Sequence, residues 1–318
     1  MKTAFVFPGQ GAQQVGMGRA LYDNFAEAKA VFDEADAVLG ESQSDLIFNG
    51  PIENLSRTAN TQPAIITVSI AALRAFQSRS PLQPDFVAGH SLGEYAALVA
   101  ANAMSLADAV TVTRARGTFM QEAVPEGQGA MAAVLKLDDE TVRAICRDAA
   151  QGEVVAPANF NSPGQIVISG HAAAVQRATA LAKERGGRAI PLKVSAPFHC
   201  ELMKPAATKL EKHLAGLNFS APKCPLVTNV TGTKNTNPDA TADLLVQQVT
   251  APVRWTDSVH HMIAQGVTRF IEFGPGNVLA GLIAKTNAAV QVLTVNTPEG
   301  IDNALQLLNE ETSQPNGE

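Results

Sequence analysis

Ser91 stands in Gly89-His90-Ser91-Leu92-Gly93, a G-x-S-x-G pentapeptide with the apolar run Phe86-Val87-Ala88 before it and Tyr95, Ala96, Leu98 and Val99 at helical spacing after it. A strand that turns sharply into a helix crowds the backbone on both sides of its central residue. Small residues are needed there, and the turn lifts the serine hydroxyl out of the backbone at a helix N-terminus. The amides just beyond it can face a developing oxyanion. The chemistry on offer is a serine nucleophile with its oxyanion stabilised. The alternative is a tight turn in which Ser91 only caps the helix.

A serine nucleophile needs a base, and the chain has six histidines: His90, His171, His199, His213, His260 and His261. His171 and His213 are expected in helices with charged neighbours, His260 and His261 in an exposed helix, and His90 turned away from the Ser91 side chain by the elbow. His199 closes the segment Lys193-Val194-Ser195-Ala196-Pro197-Phe198, where a strand gives way to a helix. It is the preferred base, with a core or capping role as the alternative. A hydrolase template also asks for an acid between Ser and His in chain order. Asp108, Asp138, Asp139, Asp148 and Glu153 fall at helix starts or in the segment after residue 127, where capping accounts for them. The expected unit is a Ser-His dyad whose histidine is oriented by something other than a carboxylate, such as a backbone carbonyl on its second ring nitrogen. Cys200 is a poor rival nucleophile, because no elbow surrounds it. Arg114 and Arg116, two apart on a helix, face different ways, so at most one reaches the site. A guanidinium there would clamp a carboxylate bidentately and imply an acyl group with a free acid; a surface or ion-paired arginine is the alternative.

The scaffold has to come from 318 residues, about two domains' worth, enough to bury a sizeable core without metals or disulfides. Hydrophobic residues make up 46% and charged residues 17%, the composition of a folded globular chain. With 24 basic against 30 acidic residues, one Trp and no dense Lys/Arg run, a nucleic-acid partner is not expected. Cys146, Cys200 and Cys224 form no C-x-x-C pair, so neither a disulfide framework nor a zinc cage is signalled, and a reducing cytoplasm fits. The start of the chain lacks a signal-type apolar run, and no later stretch is long and apolar enough to span a bilayer, so no membrane association is expected.

Residues 3–7 form a short apolar run broken by Pro8-Gly9-Gln10-Gly11 and are expected to be a buried strand. A helix is expected from Phe25 to Leu39 with Gly40 as its stop, then another over 63–77, a strand at 86–88, and a helix opened by the Ser105/Asp108 capping box and running to about residue 122. The stretch 129–194 has a different rhythm. Strands at 131–135, 153–158, 165–169 and 189–194, helices at 138–150 and 172–185, and a hairpin-type loop at 159–164 give the split β-α-β-β-α-β pattern. Later strands are expected at 226–229, 270–273 and 290–295. The fold class is α/β: a hydrolase-like parallel sheet covered by helices with an inserted ferredoxin-like subdomain. The expected domains are 1–126 with 196–311 for the large unit and 127–195 for the small one, with 312–318 as a tail.

Eight motifs occur in one order: Phe5-Val6-Phe7-Pro8-Gly9-Gln10-Gly11, Thr61-Gln62-Pro63-Ala64, Gly89-His90-Ser91-Leu92-Gly93-Glu94-Tyr95, Arg116-Gly117, Asn159-Phe160-Asn161-Ser162-Pro163-Gly164-Gln165, Pro197-Phe198-His199, Pro252-Val253-Arg254-Trp255 and Gly274-Pro275-Gly276. Together, over essentially the whole chain, they resemble the malonyl-CoA:acyl-carrier-protein transacylases of bacterial fatty-acid synthesis. The resemblance implies Ser91 as the acyl-accepting nucleophile, His199 as its base, the amides of Gln10 and Leu92 as the oxyanion hole, and Arg116 as the malonyl-carboxylate ligand. It also implies the main-chain carbonyl of Gln248 as the group that orients His199, with Asn161 and Gln62 lining the pocket. In related polyketide acyltransferases a Phe at the position of Phe198 accompanies malonyl and a Ser accompanies methylmalonyl. Pro197 departs from the small residue usual there.

On this resemblance the chain is expected to be a cytoplasmic ping-pong acyltransferase with malonyl-CoA and a holo acyl carrier protein as partners and no bound cofactor or metal. A carrier of this kind is acidic, so docking on a net-negative enzyme points to a local basic patch, with Lys183, Arg185, Arg188 and Lys193 as candidates. The other readings are a stand-alone acyltransferase loading a polyketide synthase or malonate decarboxylase carrier, a noncatalytic docking subunit, and a hydrolase.

Overall fold

Residues 1–194 and 196–313 are described by the computed structural model; Ser195 and residues 314–318 of the expected 312–318 tail lie outside the described residues, while positions 312–313 belong to the last helix, Pro298–Ser313, not to a tail. In chain order the strands are β1 (Lys2–Phe7), β2 (Phe86–Gly89), β3 (Gly129–Leu135), β4 (Val155–Ser162), β5 (Gln165–His171), β6 (Arg188–Pro191), β7 (Leu226–Val227), β8 (Lys234–Asn235), β9 (Val267–Phe273) and β10 (Gln291–Val295). They form a six-stranded sheet in the order β10-β9-β1-β2-β7-β8 and a four-stranded sheet in the order β4-β5-β3-β6. The first is parallel apart from the short antiparallel β8, and the second is antiparallel throughout.

β1 is central, and Ala4, Phe5, Val6 and Phe7 are all completely buried. An uninterrupted apolar run is what a parallel strand covered on both faces requires. Phe5 and Phe7 meet Phe273 of β9 and Phe5 also meets Phe76, tying the sheet to the long buried helix Thr58–Gln77. Helix Ala26–Leu39 ends at Gly40 in the left-handed conformation, and Ser105 caps helix Leu106–Glu122 by accepting from the Asp108 amide, both as the sequence indicated.

The second sheet carries helices Asp139–Ala150 and Ala172–Glu184 on a separate core that includes Val134, Val142, Ile145, Ile166, Ile168 and Ala178. Its element order and strand order are those of the split βαβ arrangement. The α/β class with an antiparallel insert therefore holds.

Several boundaries differ. The helix expected from Pro63 begins at Thr58, and Pro63 lies inside it. Proline favours the first turn, so the sequence drew the start too late; in the second turn it forfeits only the bond to the Ala59 carbonyl. The loop expected at 159–164 is mostly strand: β4 continues to Ser162, and Pro163-Gly164 makes the turn with Gly164 at φ 70°. Asn and Ser are weak strand formers, and pairing with β5 overrides that preference. His171 ends β5 instead of lying in a helix, β6 stops at Pro191, and β7 has two residues where four were expected. Three short helices, Arg19–Asn24, Gln43–Asn49 and Ile52–Leu55, carry too little periodicity to be read from the sequence. Among the described residues no helix is long and apolar enough to cross a membrane, and no cluster of His, Cys, Asp or Glu is suited to a metal ion.

Candidate active site

The segments leaving the carboxyl ends of β1, β2 and β7 converge, the usual place for a ligand in an open parallel sheet. At the end of β2 the chain turns through Ser91 at φ 52° into helix Gly93–Ala100. A Cβ on Gly89 would lie 1.9 Å from the Gly93 carbonyl carbon, and one on Gly93 would lie 2.2 Å from the Phe7 carbonyl oxygen. The two glycines are therefore steric necessities. A Cβ on Gly9 would meet the His90 carbonyl oxygen at 2.6 Å, so the Pro8-Gly9-Gln10 loop packs directly on the elbow. A left-handed serine costs about 1–3 kcal/mol and persists only where its surroundings hold it. Asn229 does so: its Oδ1 accepts from the Ser91 N–H at 2.6 Å and its Nδ2 donates to the Gly89 carbonyl at 2.6 Å. Ending β7 after Val227 is what frees Asn229 for this task.

His199, 3% exposed and itself at φ 59°, places Nε2 2.7 Å from the Ser91 hydroxyl oxygen and Nδ1 2.8 Å from the Gln248 carbonyl oxygen. A carbonyl only accepts, so Nδ1 carries the proton and Nε2 presents its lone pair to the hydroxyl. Burial first, and the neighbouring Arg116 charge second, lower the imidazole pKa to about 3, which keeps it neutral and able to accept a proton. The acids named from sequence are engaged elsewhere. Asp108 accepts from the Ser105 hydroxyl, Asp138 accepts from the Thr141 amide, Asp139 lies in the first turn of helix Asp139–Ala150, Asp148 pairs with Arg185 and Glu153 with Arg177. Cys200 is 2% exposed, donates to the Pro197 carbonyl at 3.1 Å, and has its thiol pKa raised by burial. It is no thiolate nucleophile.

Arg116 is 1% exposed and makes three hydrogen bonds, all to neutral groups: Nη1 to Gln62 Oε1 at 2.7 Å, Nη2 to Gln248 Oε1 at 2.9 Å and Nη2 to the Ser91 hydroxyl at 3.2 Å. Burial lowers its pKa, with Tyr95 and Glu94 opposing. Arg114 points outward to Asn60 and Glu41, so the two arginines diverge as their spacing required. These side chains open on a cavity of about 490 Å³ lined by Gln10, Gln62, Ser91, Arg116, Phe198 and His199, with Lys193 among the residues at its wall. Leu92, buried, comes directly after Ser91 at the helix start. Asn161 stands back from the cavity with its Oδ1 2.8 Å from His90 Nε2, and Asn159 takes the lining position, where β4 shifts register against β5.

Three features escaped the sequence reading. His90, set aside as a bystander, lines the cavity and packs its ring 5.8 Å from Trp255. The Gln248 side chain joins Arg116 to the elbow, where only its carbonyl had been considered. Glu94, also between Ser91 and His199 in chain order, is 1% exposed and bonds Gln248 and Asn229. Its place in the first turn after the elbow was the available signal.

The acyl transferase domain family model matches residues 4–301. The malonyl CoA-acyl carrier protein transacylase of Bacillus subtilis (strain 168) is 50% identical over 312 residues, covering 98% of each chain. A crystal structure of an acyl carrier protein S-malonyltransferase from Vibrio cholerae superposes with a TM-score of 0.93 at 48% identity, over 96% of this chain and all of that one. A structure of a type II PKS acyl-carrier protein in complex with its malonyl-transacylase aligns with a TM-score of 0.94 at 44% identity, again over 96% of this chain and all of that one. With motifs, fold and whole-length likeness in agreement, the chain belongs to the acyl transferase domain family and, within it, to the malonyl CoA-acyl carrier protein transacylases.

Proposed function

We propose that the chain moves a malonyl group from malonyl-CoA to the phosphopantetheine thiol of an acyl carrier protein through an ester on Ser91. The observation that carries this is the buried Arg116 guanidinium, 3.2 Å from the nucleophile and bonded only to neutral groups. A buried cation with no directly bonded counter-charge is costly, and a substrate carboxylate beside the reacting carbonyl supplies one. The relatives' names support malonyl as the acyl group and a carrier protein as acceptor.

His199 Nε2 takes the Ser91 proton as the oxygen attacks the thioester carbonyl, and the amides of Gln10 and Leu92 hold the oxyanion. Collapse breaks the C–S bond, and the thiolate of coenzyme A leaves with the proton from His199. The carrier thiol then gives its proton to His199 and attacks the Ser91 ester, which returns Ser91 as a hydroxyl. Gln248, through its main-chain carbonyl, keeps the imidazole in the required tautomer. Both thiols belong to substrates, so the steps draw on no resident cofactor or metal. With the chain divided into 1–126 plus 196–311 and 127–195, residues of both units line the cavity. Three unpaired cysteines suit a reducing cytoplasm. The likeness to a PKS complex favours a second acceptor, a polyketide carrier, and transfer rates across a carrier panel separate the two. Intact mass after incubation with malonyl-CoA tests the reading: one malonyl adduct, located on Ser91 by peptide mapping, supports it, and an unmodified chain rules it out.

Phe198, 7% exposed, lines the cavity next to His199. A ring against the acyl α-carbon leaves no room for a branch methyl, a difference worth about 1–3 kcal/mol. Phe198→Ser is therefore expected to relax the preference for malonyl-CoA over methylmalonyl-CoA in a competition assay. An unchanged kcat/KM ratio would remove the ring from the specificity argument.

Of the four basic residues considered for carrier docking, Lys183, Arg188 and Lys193 are exposed, Lys193 also borders the cavity, and Arg185 is paired with Asp148. Reversing Lys183, Arg188 and Lys193 together is expected to raise the carrier KM several-fold at low salt, with the gap from wild type narrowing as salt screens the wild-type attraction. Carrier KM at two ionic strengths measures this, and identical values in variant and wild type would place docking elsewhere.

A further inference from the structure

Glu94 takes no part in the steps above, yet its carboxylate is buried directly beneath the reacting groups. Its Oε2 accepts from Gln248 Nε2 at 2.6 Å and from the Asn229 N–H at 3.1 Å. Each of those partners reaches the site. Gln248 Nε2 also donates to the Ser91 carbonyl at 3.1 Å, its Oε1 accepts from Arg116, and its main-chain carbonyl holds His199. Asn229 holds the Ser91 amide and the Gly89 carbonyl. Two hydrogen-bond chains that end on nucleophile, base and guanidinium thus begin at one carboxylate oxygen.

The direction of the Gln248 amide matters. A side-chain amide has a donor end and an acceptor end of nearly the same shape, so packing alone does not choose between its two orientations. The Ser91 carbonyl, at the longer distance of 3.1 Å, asks for the NH₂ end. The carboxylate at 2.6 Å asks for it more strongly, because an ionised carboxylate can only accept and carries charge. It must be met by the NH₂ end, which turns the amide oxygen toward Arg116. The flipped amide would set NH₂ against guanidinium, donor against donor, and the guanidinium would lose its seat.

We propose that Glu94 is a positioning residue which, by fixing the orientation of the Gln248 amide, holds Arg116 ready for the free carboxylate of the acyl group. This rests on the malonyl reading of the site. Burial raises the Glu94 carboxyl, and its bonds to Gln248 and Asn229 and the Arg116 charge pull it back toward the anion, leaving it at about 7, so the acceptor-only form prevails above that pH.

Glu94→Gln keeps the shape and leaves an oxygen to accept both bonds, but an amide at position 94 can itself turn and no longer dictates the neighbour. The test is the kcat/KM for formation of the Ser91 ester from malonyl-CoA and from acetyl-CoA, which offers Arg116 no carboxylate. In Glu94→Gln the malonyl-to-acetyl ratio is expected to fall on the order of 10-fold. A residue that acted only through packing would lower both rates together and leave the ratio alone. Gln248→Met is expected to lower the ratio similarly, and adding Glu94→Gln to it to lower the ratio no further, because residues acting through one contact are not additive. Should Glu94→Gln fail to fold, Gln248→Met alone decides, since a wild-type ratio there would overturn the proposal. So would a wild-type ratio in Glu94→Gln, or losses that add in the double variant. A wild-type chain that forms no malonyl ester would instead overturn the transferase reading itself.

Discussion

Ser91→Ala is expected to abolish the malonyl adduct and to lower transfer to the carrier by on the order of 10⁴-fold or more, the scale on which members of a catalytic unit fail. The argument is geometric. The elbow holds Ser91 at φ 52° by two Asn229 bonds, and His199 and Arg116 both meet its hydroxyl oxygen, so the proposed base and the guanidinium converge on this one oxygen. Intact mass reads the adduct and carrier malonylation reads transfer; an undiminished adduct in Ser91→Ala eliminates the assignment. His199→Ala is expected to slow both half-reactions by a comparable factor, because the base serves each in turn. The pH dependence carries a sign. Burial and Arg116 depress the His199 pKa to about 3, so the neutral base persists as pH falls through 6.5, where an unperturbed imidazole would be half protonated. Acetyl loading, which does not draw on the Glu94-oriented Arg116 seat, is thus expected to retain its His199-dependent activity at pH 5. A loss centred near 6.5 that accompanies imidazole protonation would show the ring to be solvated. Asp108→Asn and Asp138→Asn, which touch only helix starts, should leave both half-reactions within a few-fold of wild type, and a large loss in either would revive a carboxylate triad.

The parts of this site that were legible in the sequence are those where sterics force residue type. Gly89 and Gly93 are required because any Cβ would overlap the opposite strand or helix, so the pentapeptide advertises the elbow wherever it occurs. The apolar run of β1 and the Gly40 stop are legible for the same kind of reason, burial and left-handed geometry. The missing acid was also readable, because every candidate considered had a capping role ready. What the sequence hides is polar groups whose meaning is set by distant partners. Gln248 lies 157 positions from Ser91 and 132 from Arg116, and nothing in its own helix marks it as a joint between them. Glu94 looks like a favourable acid in a first helical turn. Only the fold shows it buried under Asn229 and Gln248 instead of facing water. Asn159 and Asn161 read as turn residues because Asn favours turns, and the pairing of β4 with β5 overrules that local preference. Pro63 misled in the same way: a local rule for helix starts gave way to a helix stabilised by nearly complete burial.

Arg116→Ala is expected to lower kcat/KM for malonyl loading by on the order of 10²-fold or more while acetyl loading is spared or improved. The guanidinium is buried over the Tyr95 ring at 5.8 Å and held by Gln62 and Gln248, and in the proposed reaction an acyl group with a terminal acid is what uses it. Its removal leaves the malonyl carboxylate buried without a partner, which costs more than the lost bond itself. An acetyl group loses nothing of this kind; in the intact site its methyl faces a desolvated cation, and in the variant it faces space. The Ser91–His199 contact does not pass through Arg116, and without the nearby charge the imidazole becomes more basic, so the base survives the substitution. Arg116→Lys is expected to recover little, because an ammonium cannot bridge Gln62, Gln248 and a carboxylate with the planar fork of a guanidinium. The deciding measurement is the ratio of acetyl to malonyl kcat/KM in wild type, Arg116→Ala and Arg116→Lys. A rise of on the order of 10²-fold in the alanine variant assigns the guanidinium to the acyl carboxylate. Equal losses for both substrates would make Arg116 a structural support of the elbow, and the choice of malonyl would then need another cause.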